Sequence, residues 1–254
     1  MAMLEGLELE TIVFAAFLAF CRIGSCFMLM PGFSSIRMAI HVRLFLAITI
    51  TWALLAHLWD DIIPNVDRSM DALLVLIASE MLIGGTIGLV TRLYMLALQF
   101  AGSVIAMSSG WGGMASSAID EMEPQAAVTV LITFCALLVL FATDFHHEII
   151  RALIGSYTVI PMSVLFSPQA ALIDVTDTLS QAFYLTLRLA SPFIAYAILV
   201  NLAIGFVNKL TPQIPVYFIG IPFVLAGGII MLYFGIGIML SLFVDGFVPT
   251  TIGR

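Results

Sequence analysis

The segment Asp144-Phe145-His146-His147-Glu148 is the densest cluster of side chains able to bind a metal or move a proton. An inner metal shell needs ligands that converge on one point. On a helix Asp144 and Glu148 share a face, but His146 and His147 diverge by about 100°, so no metal site is assigned. Cys21, Cys26 and Cys135 sit inside apolar runs. They read as small hydrophobes in helix packing, not as a disulfide framework or a zinc site. No Ser/His/Asp, Cys/His or paired-carboxylate arrangement stands out, and no glycine-rich phosphate loop follows a strand. Nothing here argues for an enzyme, and no cofactor is implied.

The other chemically loaded residues are Arg22, Glu80, Arg92, Arg188, Gln181 and Asn201, each of which interrupts an apolar stretch. Ionisable groups at membrane depth are costly and mark either a functional path or a polar contact between helices. Packing is the simpler reading for each one. Together they require that these helices have polar neighbours.

The elements that position them are set by composition. Of 254 residues, 62% are hydrophobic and 10% charged, against about 45–50% and 25% in a soluble domain. A water-soluble globule is excluded, and so is disorder. The apolar runs are long and continuous rather than alternating, which excludes a transmembrane barrel. The chain reads as an all-α integral membrane protein with about six long apolar helices. Its formal charge is −7, with one lysine and eight arginines, so no basic patch serves a nucleic acid. The acidic start lacks the basic region of a signal peptide, and the first run is expected to remain in the mature protein.

The runs lie at about 11–30, 44–59, 72–102, 125–143, 179–207 and 214–244. Pro31-Gly32, Pro64-Asn65, the stretches 110–124 and 144–177, and the turn from Lys209 to Pro215 separate them, with no break suggesting a second domain. Arg37, Arg43 and Lys209 fall on one side if every run crosses once, and Arg68 and Arg151 on the other. The positive-inside rule then predicts cytoplasmic loops near Arg37 and Lys209 and non-cytoplasmic termini. Pro-Gln pairs at 124, 168 and 212 are evenly spaced, but their flanks do not repeat, and the spacing reads as chance.

The run 72–102 would extend roughly 45 Å as a helix, beyond a hydrocarbon core of about 30 Å. Glu80, Gly84 and Gly88 share nearly one face, and Gly102, Ala106 and Gly110 form a second small-residue row. Such rows let neighbouring backbones approach closely, as in a helix surrounded by protein. Two loops stand out. In Gly110 to Glu123, Gly110, Gly112 and Gly113 permit unusual backbone angles, while Trp111, Met114 and Met122 are apolar. Such a loop either fills a channel or is an ordinary solvent-exposed connection. In Asn208 to Pro222, Pro212 and Pro215 prevent a continuous helix and Lys209 anchors a stiff hairpin tip, suited to docking or simply to turning.

That last stretch closely resembles the hairpin motif of the FliR family, the flagellar member of the type III secretion export gate (SctT in injectisomes). Arg22-Ile23-Gly24 with Pro31-Gly32-Phe33 is similar to the family's Arg-x-Gly…Pro pattern. Glu80 with Gly84 and Gly88 is similar to its Glu-x-x-x-Gly-x-x-x-Gly helix. Gly110 to Asp120 resembles its plug, although the family's usual Asp-Pro ending is here Asp120-Glu121-Met122-Glu123-Pro124, and His146-His147 through Ser156 to Pro161 matches the following segment. The resemblance implies a noncatalytic subunit of the inner membrane and flagellar basal body, built for a helical hetero-oligomer with FliP and FliQ. Its helices would be kinked or broken and lifted out of a simple spanning arrangement. Residues 1–175 would be the FliP-like part and 176–254 the FliQ-like hairpin of a single export-gate domain, 1–254. FlhB would wrap the cytoplasmic hairpin tips, and unfolded flagellar proteins would pass through. Gly110, Trp111, Gly112, Gly113, Met114 and Asp120 would belong to the plug; Asn208, Lys209, Pro212, Gln213 and Pro215 would close the entrance. The alternatives are an injectisome homologue of the same gate, or a small-solute carrier using Glu80, Arg92 and Arg188 on kinked helices.

Overall fold

A computed structural model of the chain describes residues 9–34, 38–65, 70–112, 115–117, 124–213 and 216–252. Seven α-helices follow in order: α1 (Leu9–Leu29), α2 (Ile40–Ile62), α3 (Met70–Ser108), α4 (Ala127–Ala142), α5 (Phe145–Val159), α6 (Pro168–Leu210) and α7 (Val216–Ile252). A 3-10 turn, Ile63–Asn65, extends α2. Two short strands, β1 (Ala115–Ser117) and β2 (Pro124–Ala126), pair antiparallel, with Ala115 opposite Ala126 and Ser117 opposite Pro124. Among the described residues, five helices are long and apolar enough to cross a membrane, or up to six spans if the broken pair α4–α5 is one. The all-α membrane class read from the sequence is what the chain adopts.

The helices overrun the apolar stretches that announced them. Helix α3 has 39 residues and extends about 58 Å. Helix α6 starts at Pro168, well before the apolar run, because Pro168 suits a first helical turn and Ser167 accepts a long 3.5 Å hydrogen bond from the Ala170 amide. Its first turns carry Asp174, Thr176 and Asp177, which hide them from a hydropathy reading. Helix α5 lies wholly inside the stretch taken as connecting residues. Phe145, Ile149, Leu153 and Tyr157 form its buried stripe, four residues apart as one helix face requires.

The chain forms two compact units, Met1–Arg92 with Asp144–Thr178 and Thr251–Arg254, and Leu93–Thr143 with Leu179–Thr250. In the first, α1 packs along α2, and Leu18, Ile23, Phe27, Leu58, Leu76 and Phe145 are among its buried side chains. In the second, Tyr94 donates to Gln181 Oε1 at 3.1 Å and meets Phe247 edge-on at 5.6 Å between centroids. Thr186 donates to the Ala97 carbonyl at 2.9 Å. Gln181, one of the polar interruptions, thus has a helix–helix partner. The three Pro-Gln pairs serve different ends: a strand start, a helix start and a turn.

Candidate functional site: a buried ion lock and an anchored loop

Arg22 on α1 is fully buried. Its Nε donates to Glu80 Oε2 at 2.6 Å and its Nη2 to Glu80 Oε1 at 2.8 Å, a bidentate fork onto α3. Nη1 donates to Ser156 Oγ at 3.1 Å and Nη2 to the Ile160 carbonyl at 3.1 Å. The guanidinium carbon lies 4.0 Å from the Tyr157 ring centroid. A planar cation held by a carboxylate fork and stacked on an aromatic face uses the properties that distinguish Arg from Lys. Three helices and the residue after α5 are pinned at one point. Ser79, beside Glu80, accepts from the Phe166 amide at 2.7 Å and ties the following segment to α3.

Glycines bring α1 and α3 this close. A Cβ on Gly84 would fall on the Arg22 carbonyl oxygen and Ser25 Oγ, and one on Gly88 would lie 2.7 Å from the Cys26 carbonyl oxygen. In the other unit a Cβ on Gly102 would meet Thr129 of α4 at 3.1 Å, and Ala106 is fully buried. Gly84, Gly88 and Gly102 are therefore close-approach positions. The remaining charges differ from their expected burial: Arg92 is half-buried, and Arg188 is exposed on α6, as is Asn201. Arg188 occupies an outer face of α6 in the single chain.

The loop after α3 begins as a helix terminator. The Gly110 amide donates to the Met107 carbonyl and the Trp111 amide to the Ala106 carbonyl, at 3.3 and 2.8 Å, and Gly110 has φ +81°. This pair of bonds around a left-handed glycine is a Schellman cap. Trp111 is buried and its ring edge borders Gly228 of α7, where a Cβ would lie 3.3 Å from Trp111 Cη2 and 2.6 Å from Ser109 Cβ. Gly112 is exposed in a turn. The β1–β2 ribbon then joins the two ends of the loop, with Ser117 opposite Pro124 at its neck, a pairing that no alternating pattern announced. Gly113, Met114, Asp120 and Met122 lie outside the described residues.

At the hairpin tip, Asn208 and Lys209 are exposed in the last turn of α6, and Pro212 and Gln213 form an exposed turn. Thr211 closes the helix end, its amide donating to the Val207 carbonyl at 2.9 Å. Pro215 lies outside the described residues. Between α6 and α7, the Tyr196 hydroxyl donates to the Phe223 and Val224 carbonyls at 3.1 and 3.2 Å, and Gly227 leaves room for that ring. The groove nearer the tip is lined by Leu199, Ala203, Ile204, Val207, Val216 and Phe223, among others, all apolar. A solute site needs placed polar groups, and this groove offers none; Glu80 meanwhile is engaged by Arg22.

At the break between α4 and α5 the side chains depart from simple helical projection. Asp144, His146 and His147 bring one ligand atom each within 4.8 Å of one another. Glu148 pairs instead with Arg151 at 2.8 Å.

Residues 13–248 match bacterial export proteins, family 1. The chain belongs to this family. It is 32% identical over 211 residues to the flagellar biosynthetic protein FliR of Caulobacter vibrioides, covering 83% of each chain. It is 27% identical to the FliR of Aquifex aeolicus, over 88% of this chain and 85% of that one, and 26% identical to the FliR of Bacillus subtilis, over 87% and 85%. This export protein is a multi-pass inner-membrane component of a flagellar export apparatus, and it is not an enzyme.

Proposed function

We propose that this export protein is one wall segment of the flagellar type III export gate, assembling with FliP and FliQ around a closed channel that passes unfolded flagellar proteins. The observation that carries this reading is the bareness of the last two helices. Only 11% of the apolar window of α6 and 17% of that of α7 is buried, against 50% for α1. Lipid would satisfy their leucines and phenylalanines but not exposed Arg188 and Asn201, which are costly in hydrocarbon. Companion subunits satisfy both. The division into a FliP-like part, 1–175, and a FliQ-like hairpin, 176–254, follows from the same family resemblance, as does FlhB at the tip around Asn208, Lys209, Pro212, Gln213 and Pro215.

In this reading the loop from Gly110 through Met114 to Asp120 is the channel plug. The Schellman cap and Trp111 support a fixed root, and the β1–β2 ribbon supports a defined neck. Irregular backbone at membrane depth survives only when buried in protein or lining a water-filled cavity, which suits a plug.

Two measurements test the proposal. Native mass spectrometry of the detergent-extracted chain is expected to show it in one complex with other small helical membrane proteins; a stable, compact monomer would overturn the assembly. Deletion of Gly110–Met114 is expected to raise ion conductance of the reconstituted complex. Unchanged conductance in an intact complex would remove the plug role and leave a purely structural wall.

A further inference from the structure

The geometry points to a binding site for a divalent late first-row transition ion of the zinc type at the start of α5, held by Asp144, His146 and His147. These three residues are four positions of chain from end to end, and their ligand atoms lie within 4.8 Å of one another. His147 Nδ1 and Asp144 Oδ1 are 3.5 Å apart. Zinc bonds of about 2.0–2.2 Å to nitrogen and oxygen place tetrahedral ligands roughly 3.4 Å apart. One pair already has that spacing, and the third atom has at most roughly 1.4 Å to close through side-chain rotation.

Sequence periodicity points the two imidazoles apart, but in the structure their rings meet and Asp144 turns beside them. Asp144 has φ +58°, the only positive value at a non-glycine among the described residues, and this turn carries its carboxylate back over the first turn of α5. The two imidazoles approach at a tilt, with centroids 4.2 Å apart and planes 40° apart. Glu148 is withdrawn by Arg151. Two imidazoles and one carboxylate suit zinc, copper and nickel rather than magnesium or calcium. The set leaves one tetrahedral position for water or a neighbour's side chain. Asp144 and His147 are solvent-exposed, with side chains 74% and 66% accessible, so an ion can enter and leave. A bound ion would fix the first turn of the helix whose far end carries Ser156 and Tyr157.

The test uses the detergent-extracted complex containing the full chain, dialysed against zinc chloride, with cobalt(II) as an optical reporter of ligand geometry. Wild type is expected to take up one zinc equivalent that D144N and H147N lose or bind about 10- to 100-fold more weakly. H41N and H57N are expected to retain it. D144N keeps a side chain that tolerates the left-handed conformation, which separates ligand loss from misfolding. A zinc-dependent rise in Tm is expected in wild type and absent from H147N. Equal zinc uptake by wild type, D144N and H147N, or no saturable uptake by any of them, would overturn the site and leave Asp144–His147 as an ordinary ion pair.

Discussion

Arg22 and Glu80 meet through two hydrogen bonds of 2.6 and 2.8 Å inside the first unit, and one turn further along α3 Gly84 lies against the backbone carbonyl of the same Arg22. Side chain and main chain of one residue are thus gripped by successive turns of one helix. The ion pair requires close approach, and the glycine permits it.

Truncating one partner strands the second charge in a dry interior, at a cost of about 3–5 kcal/mol. Glu80→Ala is therefore expected to lower the Tm of the extracted complex and the yield of assembled chain. Arg22→Lys is expected to lower both as well, since an ammonium cannot reproduce the fork or the stacking on Tyr157. The double apolar variant Arg22→Met/Glu80→Leu is expected to be less damaged than Glu80→Ala alone. A double variant as unstable as the single would show that the pair is more than a packing device.

Gly84 and Gly85 are neighbours with opposite surroundings. Gly84→Ala puts a methyl onto the Arg22 carbonyl, whereas nothing lies within 4 Å of a Cβ at Gly85. Gly84→Ala is expected to separate α1 from α3 and abolish recovery of the complex. Gly85→Ala is expected to be neutral or to stabilise by about 0.5–1 kcal/mol through helix propensity. Thermal melts of the two extracted variants decide it.

The sequence made some of this readable and hid the rest for physical reasons. Membrane helices follow from apolar run length, and the close approach at Gly84, Gly88 and Gly102 follows from small-residue spacing. The partner of Glu80 did not, because Arg22 lies 58 residues away and periodicity carries no long-range pairing. Ser156 and Tyr157 were within reach: Phe145, Ile149, Leu153 and Tyr157 recur every fourth residue, a short helical signal overshadowed by longer apolar runs. Glycines 110 and 112 suggested unusual backbone angles, and Gly110 uses one, at φ +81°, as a helix cap. The Asp144–His147 cluster escaped a helical-wheel reading because the wheel gives only Cα directions, whereas the imidazole side chains reach back to within 4.2 Å of one another between centroids.

At Gly110 a Cβ is strained at φ +81° whatever the space around it. Gly110→Ala is expected to cost about 1–2 kcal/mol, and Gly110→Asn distinctly less. Hydrogen exchange is the local readout, since the cap protects the amides of Gly110 and Trp111. Both should exchange faster in Gly110→Ala while α1 and α2 remain unchanged. Unaltered protection would mean that the cap forms without the glycine.

Trp111 and Gly228 give the sharpest test of how the loop after α3 is held and of its proposed plug role. The ring edge and Ser109 fill the notch that the missing side chain leaves, so Gly228→Leu has nowhere to place its branched carbons and must lift Trp111 out. In a Trp52→Phe/Trp59→Phe background, Trp111 reports alone, and its emission is expected to shift to the red as the buried ring meets water. If the loop is a plug held by this root, conductance of the reconstituted complex rises in the same variant, and Trp111→Ala reproduces the leak. Trp111→Phe keeps most of the apolar contact and should leak less than Trp111→Ala. A red shift with no change in conductance would separate the anchor from the barrier: Trp111 would then hold the end of α3 in place, and the seal would have to lie elsewhere in the assembly.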